Sequence, residues 1–283
     1  MQETPIPLGV RIELCRAALQ VMADRVGVRL LHIKGATVDA SIRPDAQGGT
    51  DVDVIADPGR IDVLHEQLLA HGWTIYSTFV DGSPFGHAQT YWHGDWGFID
   101  LHRRFPGIRL ADVEAFNLLW DDRGAFTAAG LAVAVPSVDV QNVLLLLNAA
   151  RGSDFSRAEA TRVWEEHSDD DRTRLRGLAT RLGAEVPFAV VAGGLDGYRD
   201  RPDYLLWTAV SEGGTRSQEW WGRIRASTSI REAIGIVLRA PRVNRSQLTH
   251  DLGRSPTRGD IAAAYARRLR LALTELLPGR TKR

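Results

Sequence analysis

The stretch Thr50-Asp51-Val52-Asp53-Val54 decides the predicted fold of this 283-residue chain. Successive side chains of a β-strand point to opposite faces, so Asp51 and Asp53 are expected on one face while the two valines enter the core. Carboxylates repeated at this spacing on an apolar strand are typical of a site for a hard cation, because such ions take oxygen ligands. Aspartates at strand ends also cap turns, so a purely structural role for the pair stays open.

Two further motifs extend this pattern. The pair Lys34-Gly35 follows an apolar run that predicts a strand, and residues 99–102 have the sequence Ile-Asp-Leu-His. Asp100 and His102 share one face of that later strand by the same two-residue period. A carboxylate between two buried apolar neighbours is costly unless it is paired, which favours a metal-binding role for Asp100, with a structural role as the alternative.

Three carboxylates near a glycine turn suit Mg²⁺ held against a nucleoside triphosphate. Mg²⁺ keeps several waters and takes only one or two protein carboxylates beside substrate phosphates. Two such ions, about 3.5 to 4 Å apart, can clamp the attacking and leaving oxygens of an in-line displacement at phosphorus. Zinc is not expected, because the histidines show no H-E-x-x-H arrangement and Cys15 is the only cysteine.

The glycine turn has its own predicted chemistry. Lys34 is one of two lysines among 35 basic residues, so its position at this turn stands out from an arginine-rich background. Lys34 can place a point charge on phosphates, and Gly35 lets the backbone approach them closely. The alternatives are a lysine stem that runs along the surface and a glycine that only makes the turn. His102 is either a proton shuttle or orienting group, or a satisfied histidine at the end of a sheet.

The composition excludes several classes of partner. Acidic and basic residues balance at 35 each, which removes any whole-protein charge argument for nucleic acid or a membrane surface. A single cysteine excludes an intramolecular disulfide. We expect a cytoplasmic protein, because the N-terminal residues lack a signal-peptide pattern and no apolar run approaches the length of a bilayer span.

Apolar periodicity predicts a mixed α/β sheet followed by a mainly helical region. After Phe105-Pro106-Gly107 the pattern becomes mainly helical, and Thr257-Arg258-Gly259-Asp260 resembles a capping box that opens a last helix. The predicted elements are helix 10–25, strand 28–33, short helix 36–42, strand 51–55, helix 58–71, strands in 73–80, 88–93 and 97–101, helix 112–120, strand 131–135, helix 137–150, and then helices only.

The ordered set of Lys-Gly, Asp-x-Asp and Asp-x-His motifs, with Arg43 in a turn between the first two, resembles a known family. It is similar to the uncharacterised bacterial nucleotidyltransferase family of the DNA polymerase β superfold, over roughly residues 28–150. The chain departs from that family at two places. Relatives often place an arginine close to the first aspartate, where this chain has the turn 47–50, and they often have a histidine at the position of Asn148.

The resemblance implies an α/β (α+β) fold, with a minimal nucleotidyltransferase sheet as catalytic core in residues 1–125 and a mainly α-helical acceptor-binding domain in 126–283. The implied catalytic residues and metal ligands are Asp51, Asp53 and Asp100. The implied nucleotide-binding residues are Lys34, Gly35, Arg43 and Thr50. His102 would orient one of the metal-binding carboxylates.

The implied reaction is transfer of a nucleoside monophosphate from a nucleoside triphosphate, with ATP as the expected donor and pyrophosphate as the leaving group. The expected cofactor is Mg²⁺, with Mn²⁺ as the alternative metal. The expected acceptor is a hydroxyl or phosphate of a peptide, a protein or a small-molecule natural product. Nucleic acid and membrane are not expected as partners, because the charge is balanced and no nucleic-acid module is recognisable.

Two alternatives differ in chemistry. A nucleotide-sugar donor at the same metal site would transfer a sugar instead of a nucleotide. A regulatory protein could keep the fold and bind a nucleotide without transferring it.

Aromatic residues such as Trp96 and the pairs Tyr91-Trp92 and Trp220-Trp221 could stack on a base, but packing is the favoured explanation.

Overall fold

A computed structural model describes residues 6–44, 49–80, 85–227, 229–239, 243 and 245–276. The chain forms two compact units, of which the first comprises residues 1–145 with 168–183 and the second comprises 146–167 with 184–283. The first unit therefore extends beyond residue 125. The assignment of catalysis to residues 1–125 and of acceptor binding to 126–283 stays a prediction.

A five-stranded mixed sheet forms the centre of the first unit. The strands are β1 Leu30–Ile33, β2 Asp51–Ala56, β3 Thr74–Ser77, β4 Ala88–His93 and β5 Gly97–His102. Their order in the sheet is β1-β2-β5-β4-β3. The β2 and β5 strands are parallel and every other neighbouring pair is antiparallel. The predicted mixed α/β fold is thereby confirmed.

Two helices cover one face of this sheet. Helix α1 spans Leu8–Arg25 and helix α2 spans Ile61–Ala70, and their apolar side chains form one core cluster with the inward residues of the strands. Val52 and Val54 are buried in that cluster, as the alternation of β2 predicts. The aspartates of β2 therefore project from the opposite face of the sheet.

The predicted short helix over 36–42 is wrong. Only the 3₁₀ turn Gly35–Thr37 forms there. Lys34 and Gly35 have φ values of 62° and 56°, a left-handed conformation that is incompatible with starting an α-helix. Val38 then returns to extended backbone, with ψ at 132°. The predicted loop 44–49 lies mostly outside the described residues, because 45–48 are not described.

A β-hairpin follows helix α3, which spans Asp112–Trp120 as predicted. Strand β6, Gly124–Ala128, was not predicted, and it pairs with β7, Leu131–Val135, which was. The five residues of β6 include glycine and two alanines, which have low strand propensity, and all five pair with β7.

The rest of the chain is helical in the described residues, as predicted. Helix α4 spans Val138–Ala150. The capping box of the last helix is confirmed, because Thr257 Oγ1 accepts from Asp260 N at 3.3 Å and Asp260 Oδ2 accepts from Thr257 N at 2.8 Å. No helix among the described residues has both the length and the apolar character needed to cross a membrane. The remaining helices are α5 Asp154–Glu166, α6 Asp169–Arg181, α7 Glu185–Ala192, a 3₁₀ helix Leu195–Tyr198, α8 Tyr204–Ser211, α9 Arg216–Ala226, α10 Ile230–Arg239, α11 Arg245–Leu252 and α12 Arg258–Leu276.

Candidate active site

Strand pairing gathers the polar side chains at the centre of the sheet. In the parallel pair β2–β5, Asp53 lies opposite Asp100 and Ile55 lies opposite His102. In the antiparallel pair β4–β5, Thr90 lies opposite Asp100. Since paired residues of neighbouring strands point to the same face, these groups share the face that α1 and α2 leave uncovered.

Asp53, Asp100 and His102 form a close cluster. Each offers a ligand atom, and the three atoms lie within 4.8 Å of one another. The donor set of two carboxylates and an imidazole fits a divalent cation. In addition, Nδ1 of His102 is buried and has no hydrogen-bond partner among the described residues.

Two donors converge on Asp53. Nζ of Lys34 lies 2.6 Å and Nε2 of His102 lies 2.9 Å from the same oxygen, Oδ1. Burial alone would raise the pKa of Asp53, but the hydrogen bond from His102 and the charge of Lys34 outweigh burial and hold this pKa well below its usual range. Asp53 is therefore ionised at neutral pH, and none of the described groups donates to its Oδ2.

His102 acts as a neutral hydrogen-bond donor in this cluster. Burial lowers its pKa, against the opposing effect of the hydrogen bond to Asp53. The Nε2–H tautomer is assigned because a carboxylate can only accept. The ring stacks on Phe105 at 6.2 Å between centroids and lies 5.1 Å from the ring of His87. This packing fixes the direction in which Nε2 points.

Asp51 lies outside the close cluster of three ligand atoms but within the same electrostatic field. Burial first, and then the charges of Asp53 and Asp100, raise the pKa of Asp51 to about 6, although Lys34 opposes this rise. The part of this rise that comes from Asp53 and Asp100 reflects repulsion between like charges. A bound divalent cation would relieve that repulsion.

Lys34 points to the carboxylates instead of running along the surface. Its ammonium group ion-pairs with Asp53 and lies 5.9 Å from the ring centroid of Phe105. The turn that carries it is held by Thr37, whose Oγ1 donates to the Lys34 carbonyl at 2.7 Å. A lysine at φ 62° is strained by about 1–3 kcal/mol, and such strain is commonly found at functional sites.

The structure also brings in a residue that sequence reasoning missed. Thr90 Oγ1 donates to Asp100 Oδ1 at 2.6 Å and so orients that carboxylate. The alternation of β4 shows that Thr90 faces away from the α-helical side, but only the register with β5 places it on Asp100.

Other predicted residues lie near the site or away from it. Thr50 is exposed immediately before β2, and Arg43 is half-buried in the segment that follows the 3₁₀ turn, so their part in nucleotide binding stays a prediction. Tyr91 is fully buried, and its hydroxyl lies 2.6 Å from Nδ1 of His65. For Tyr91, packing is therefore the correct explanation. Asn148 accepts a hydrogen bond from Arg151.

Comparison with known proteins gives only remote likeness. No protein-family model and no curated protein matches the chain. The solved structure of the lincosamide antibiotic adenylyltransferase LnuA, lincomycin-bound, is 17% identical with a TM-score of 0.37, covering 53% of this chain and 94% of that one. The antibiotic-resistance factor ANT(2'')-Ia is 16% identical with a TM-score of 0.41, covering 71% and 95%.

A third solved structure is an antigenic nucleotidyltransferase-like protein from Paracoccidioides brasiliensis. It is 16% identical with a TM-score of 0.39, covering 68% of this chain and 100% of that one. Likeness at this level assigns neither an activity nor a substrate to the chain, so the functional argument rests on the site itself.

Proposed function

We propose that this chain is a Mg²⁺-dependent nucleotidyltransferase that moves a nucleoside monophosphate from a nucleoside triphosphate to an acceptor hydroxyl or phosphate and releases pyrophosphate. The observation that carries the proposal is the close cluster of Asp53, Asp100 and His102 on two parallel strands, with the ammonium of Lys34 on Asp53 and with Asp51 two residues before it on the same strand. The motif resemblance supports the same reaction class.

The proposed metal ligands are Asp51, Asp53 and Asp100, and the metal is Mg²⁺ or Mn²⁺. When bound, the ion would neutralise phosphate charge and help to align the reacting oxygens. Lys34 and His102 both donate to Oδ1 of Asp53, so Oδ2 is the oxygen that remains for a cation. This arrangement holds the carboxylate in one orientation and in its ionised form, which metal binding requires.

Asp100 has a second proposed role toward the acceptor. The hydrogen bond from Thr90 to its Oδ1 fixes the carboxylate, and its other oxygen can accept the proton of an acceptor hydroxyl. Gly35, Lys34, Arg43 and Thr50 are proposed to contact the nucleotide. Catalysis by such a site consists mainly of positioning and charge neutralisation, because phosphoryl-type transfer needs little covalent chemistry from the protein.

The proposed donor is ATP, and the proposed acceptor is a peptide, a protein or a small molecule bound by the mainly helical part of the chain in the cytoplasm. The balanced charge of the chain favours these acceptors over nucleic acid, whose binding depends on an excess of basic residues.

The first experiment measures ATP binding by calorimetry with Mg²⁺ and with EDTA. We expect Mg²⁺-dependent binding that Asp53→Asn and Asp100→Asn each abolish or strongly weaken. Asp95→Asn is the matched control, because Asp95 lies in the β4–β5 turn with a side chain that is 89% exposed. Wild-type protein without metal-dependent ATP binding, or Asp53→Asn and Asp100→Asn variants that bind ATP as Asp95→Asn does, would contradict the proposal.

A second experiment identifies the transferred group. The protein is incubated with ATP, Mg²⁺ and a panel of peptide and small-molecule acceptors, and the products are weighed by mass spectrometry. A nucleotide adduct contains phosphorus, whereas a glycosyl adduct formed from a nucleotide sugar does not. Metal-dependent binding with no adduct and no pyrophosphate release across the panel would favour the regulatory alternative.

A further inference from the structure

A fully buried arginine lies under the turn that carries Lys34. Arg16 of α1 has a relative exposure of 0%, and its Nε and Nη1 have no hydrogen-bond partner among the described residues. Arginine stays protonated in proteins, so this is a buried charge with unmet hydrogen bonds. Such burial is strongly unfavourable unless a partner supplies the missing contacts.

The guanidinium group of Arg16 lies at the junction of the glycine turn and the start of β2. Nη2 is 3.0 Å from the point where a Cβ would stand on Gly35, and the amide nitrogen of Gly49 is 3.5 Å from that same point. A side chain at position 35 would displace the guanidinium by a few tenths of an ångström, and the positive φ of Gly35 also favours glycine. The turn and the loop end therefore meet directly above the charged group.

No acceptor for Arg16 is supplied by the nearby acidic groups. Burial lowers the pKa of Arg16, and the charges of Glu13 and then of Asp53 and Asp51 oppose that change through space, but none of these carboxylates hydrogen-bonds to the guanidinium. Burial and the charge of Arg16 lower the pKa of His32 on β1 to about 3, so His32 is neutral. None of these side chains therefore satisfies Nε and Nη1 of Arg16.

We propose that Arg16 binds a phosphate group of the donor, beneath the Lys34-Gly35 turn. A guanidinium fork matches the oxygens of a phosphate in a bidentate geometry, and such charge-assisted hydrogen bonds are stronger than neutral ones. The proposed site then combines the metal-binding carboxylates of the sheet with a phosphate-binding arginine on α1, beneath the turn. Because Arg16 has no exposed surface, the strained turn at Lys34 has to move aside when the phosphate binds.

The inference rests on the proposed function, and it is tested with inorganic tripolyphosphate and Mg²⁺ on the full chain. Calorimetry compares wild type with Arg16→Met and Arg16→Lys. We expect both variants to bind tripolyphosphate roughly tenfold or more weakly, since each loses the bidentate contact. Arg25→Met is the matched control, because Arg25 lies on the same helix but is exposed, and its affinity should equal that of wild type.

The outcomes separate the two proposals. Wild-type protein that binds no tripolyphosphate overturns both proposals. Tight binding by wild type and equally tight binding by a folded Arg16→Lys overturns only the role of Arg16.

A second measurement needs no variant that risks misfolding. In wild-type protein labelled with ¹⁵N, the Nε–H resonance of Arg16 should shift and gain protection from solvent exchange on addition of tripolyphosphate. An Arg16 resonance unchanged at saturating tripolyphosphate would overturn the proposal, whereas a shift confined to Arg25 would place the phosphate elsewhere.

Discussion

Replacing Asp51 with asparagine should stabilise the metal-free protein while it weakens metal binding. The pKa of Asp51 is raised from 3.8 to about 6, by burial and then by the charges of Asp53 and Asp100. The ionised form is therefore the unfavourable one in the folded state. Its folded pKa exceeds the unfolded value, so the contribution of Asp51 to stability is most favourable below about pH 4, falls between about pH 4 and 6, and stays unfavourable above that range.

The magnitude follows from that rise. At about 1.4 kcal/mol per pKa unit the ionised carboxylate costs at most about 3 kcal/mol, and solvent screening at this half-buried position reduces the expected figure to about 1–2 kcal/mol. Asp51→Asn should therefore raise the free energy of unfolding by about this amount at pH 7.5 and by little at pH 4.

Urea denaturation in EDTA at both pH values provides the measurement. Asp95→Asn, at an exposed turn position, should change the free energy of unfolding by less than about 0.5 kcal/mol at either pH. Added Mg²⁺ should stabilise wild type by linkage and stabilise Asp51→Asn less. An Asp51→Asn variant that is no more stable than wild type at pH 7.5, or equally stabilised at both pH values, would refute the reasoning.

Three other substitutions test separate contacts. Lys34→Met should lower the free energy of unfolding by roughly 2–4 kcal/mol in urea, because it leaves a buried carboxylate without its cation, and Lys34→Arg should lose less. Gly35→Ala should lower the melting temperature more than Gly130→Ala does. Both glycines have positive φ, but an added Cβ would contact Arg16 at Gly35 and would meet no atom within 4 Å at Gly130. An equal fall in melting temperature for the two variants would show that only the backbone strain matters. Thr90→Val keeps the shape but removes the donor to Asp100, so it should cost about 1–2 kcal/mol of stability and lower pyrophosphate release without changing ATP affinity; unchanged turnover would make Thr90 purely structural.

Several elements follow from local sequence. The bounds of β4, α3 and β7 agree with the periodicity of residues 88–93, 112–120 and 131–135, because strand and helix periods are properties of neighbouring residues. The capping box before α12 is equally local. The alternation of β2 likewise places Val52 and Val54 in the core without any knowledge of what the strand pairs with.

The geometry of the candidate site depends on contacts between distant residues. That Asp53 lies opposite Asp100 depends on parallel pairing of two strands that are separated by α2, β3 and β4. That Lys34 contacts Asp53 depends on the left-handed conformation of Lys34 and Gly35, which the sequence pattern identified only as a turn. In both cases the decisive contact joins residues that are far apart in the sequence, so a pattern of neighbouring residues cannot predict it.

Arg16 shows the same division within a single residue. Its helix is recognisable from the apolar spacing of α1, and an arginine there would ordinarily be placed on the solvent side. In the folded chain it is buried instead, next to Gly35. The sequence by itself determined where the helices and strands run and which residues could bind a cation and phosphates. Only the tertiary structure decided which of these charges face one another, because the distance between charged groups, and with it their pKa values, depends on how strands separated in sequence are paired.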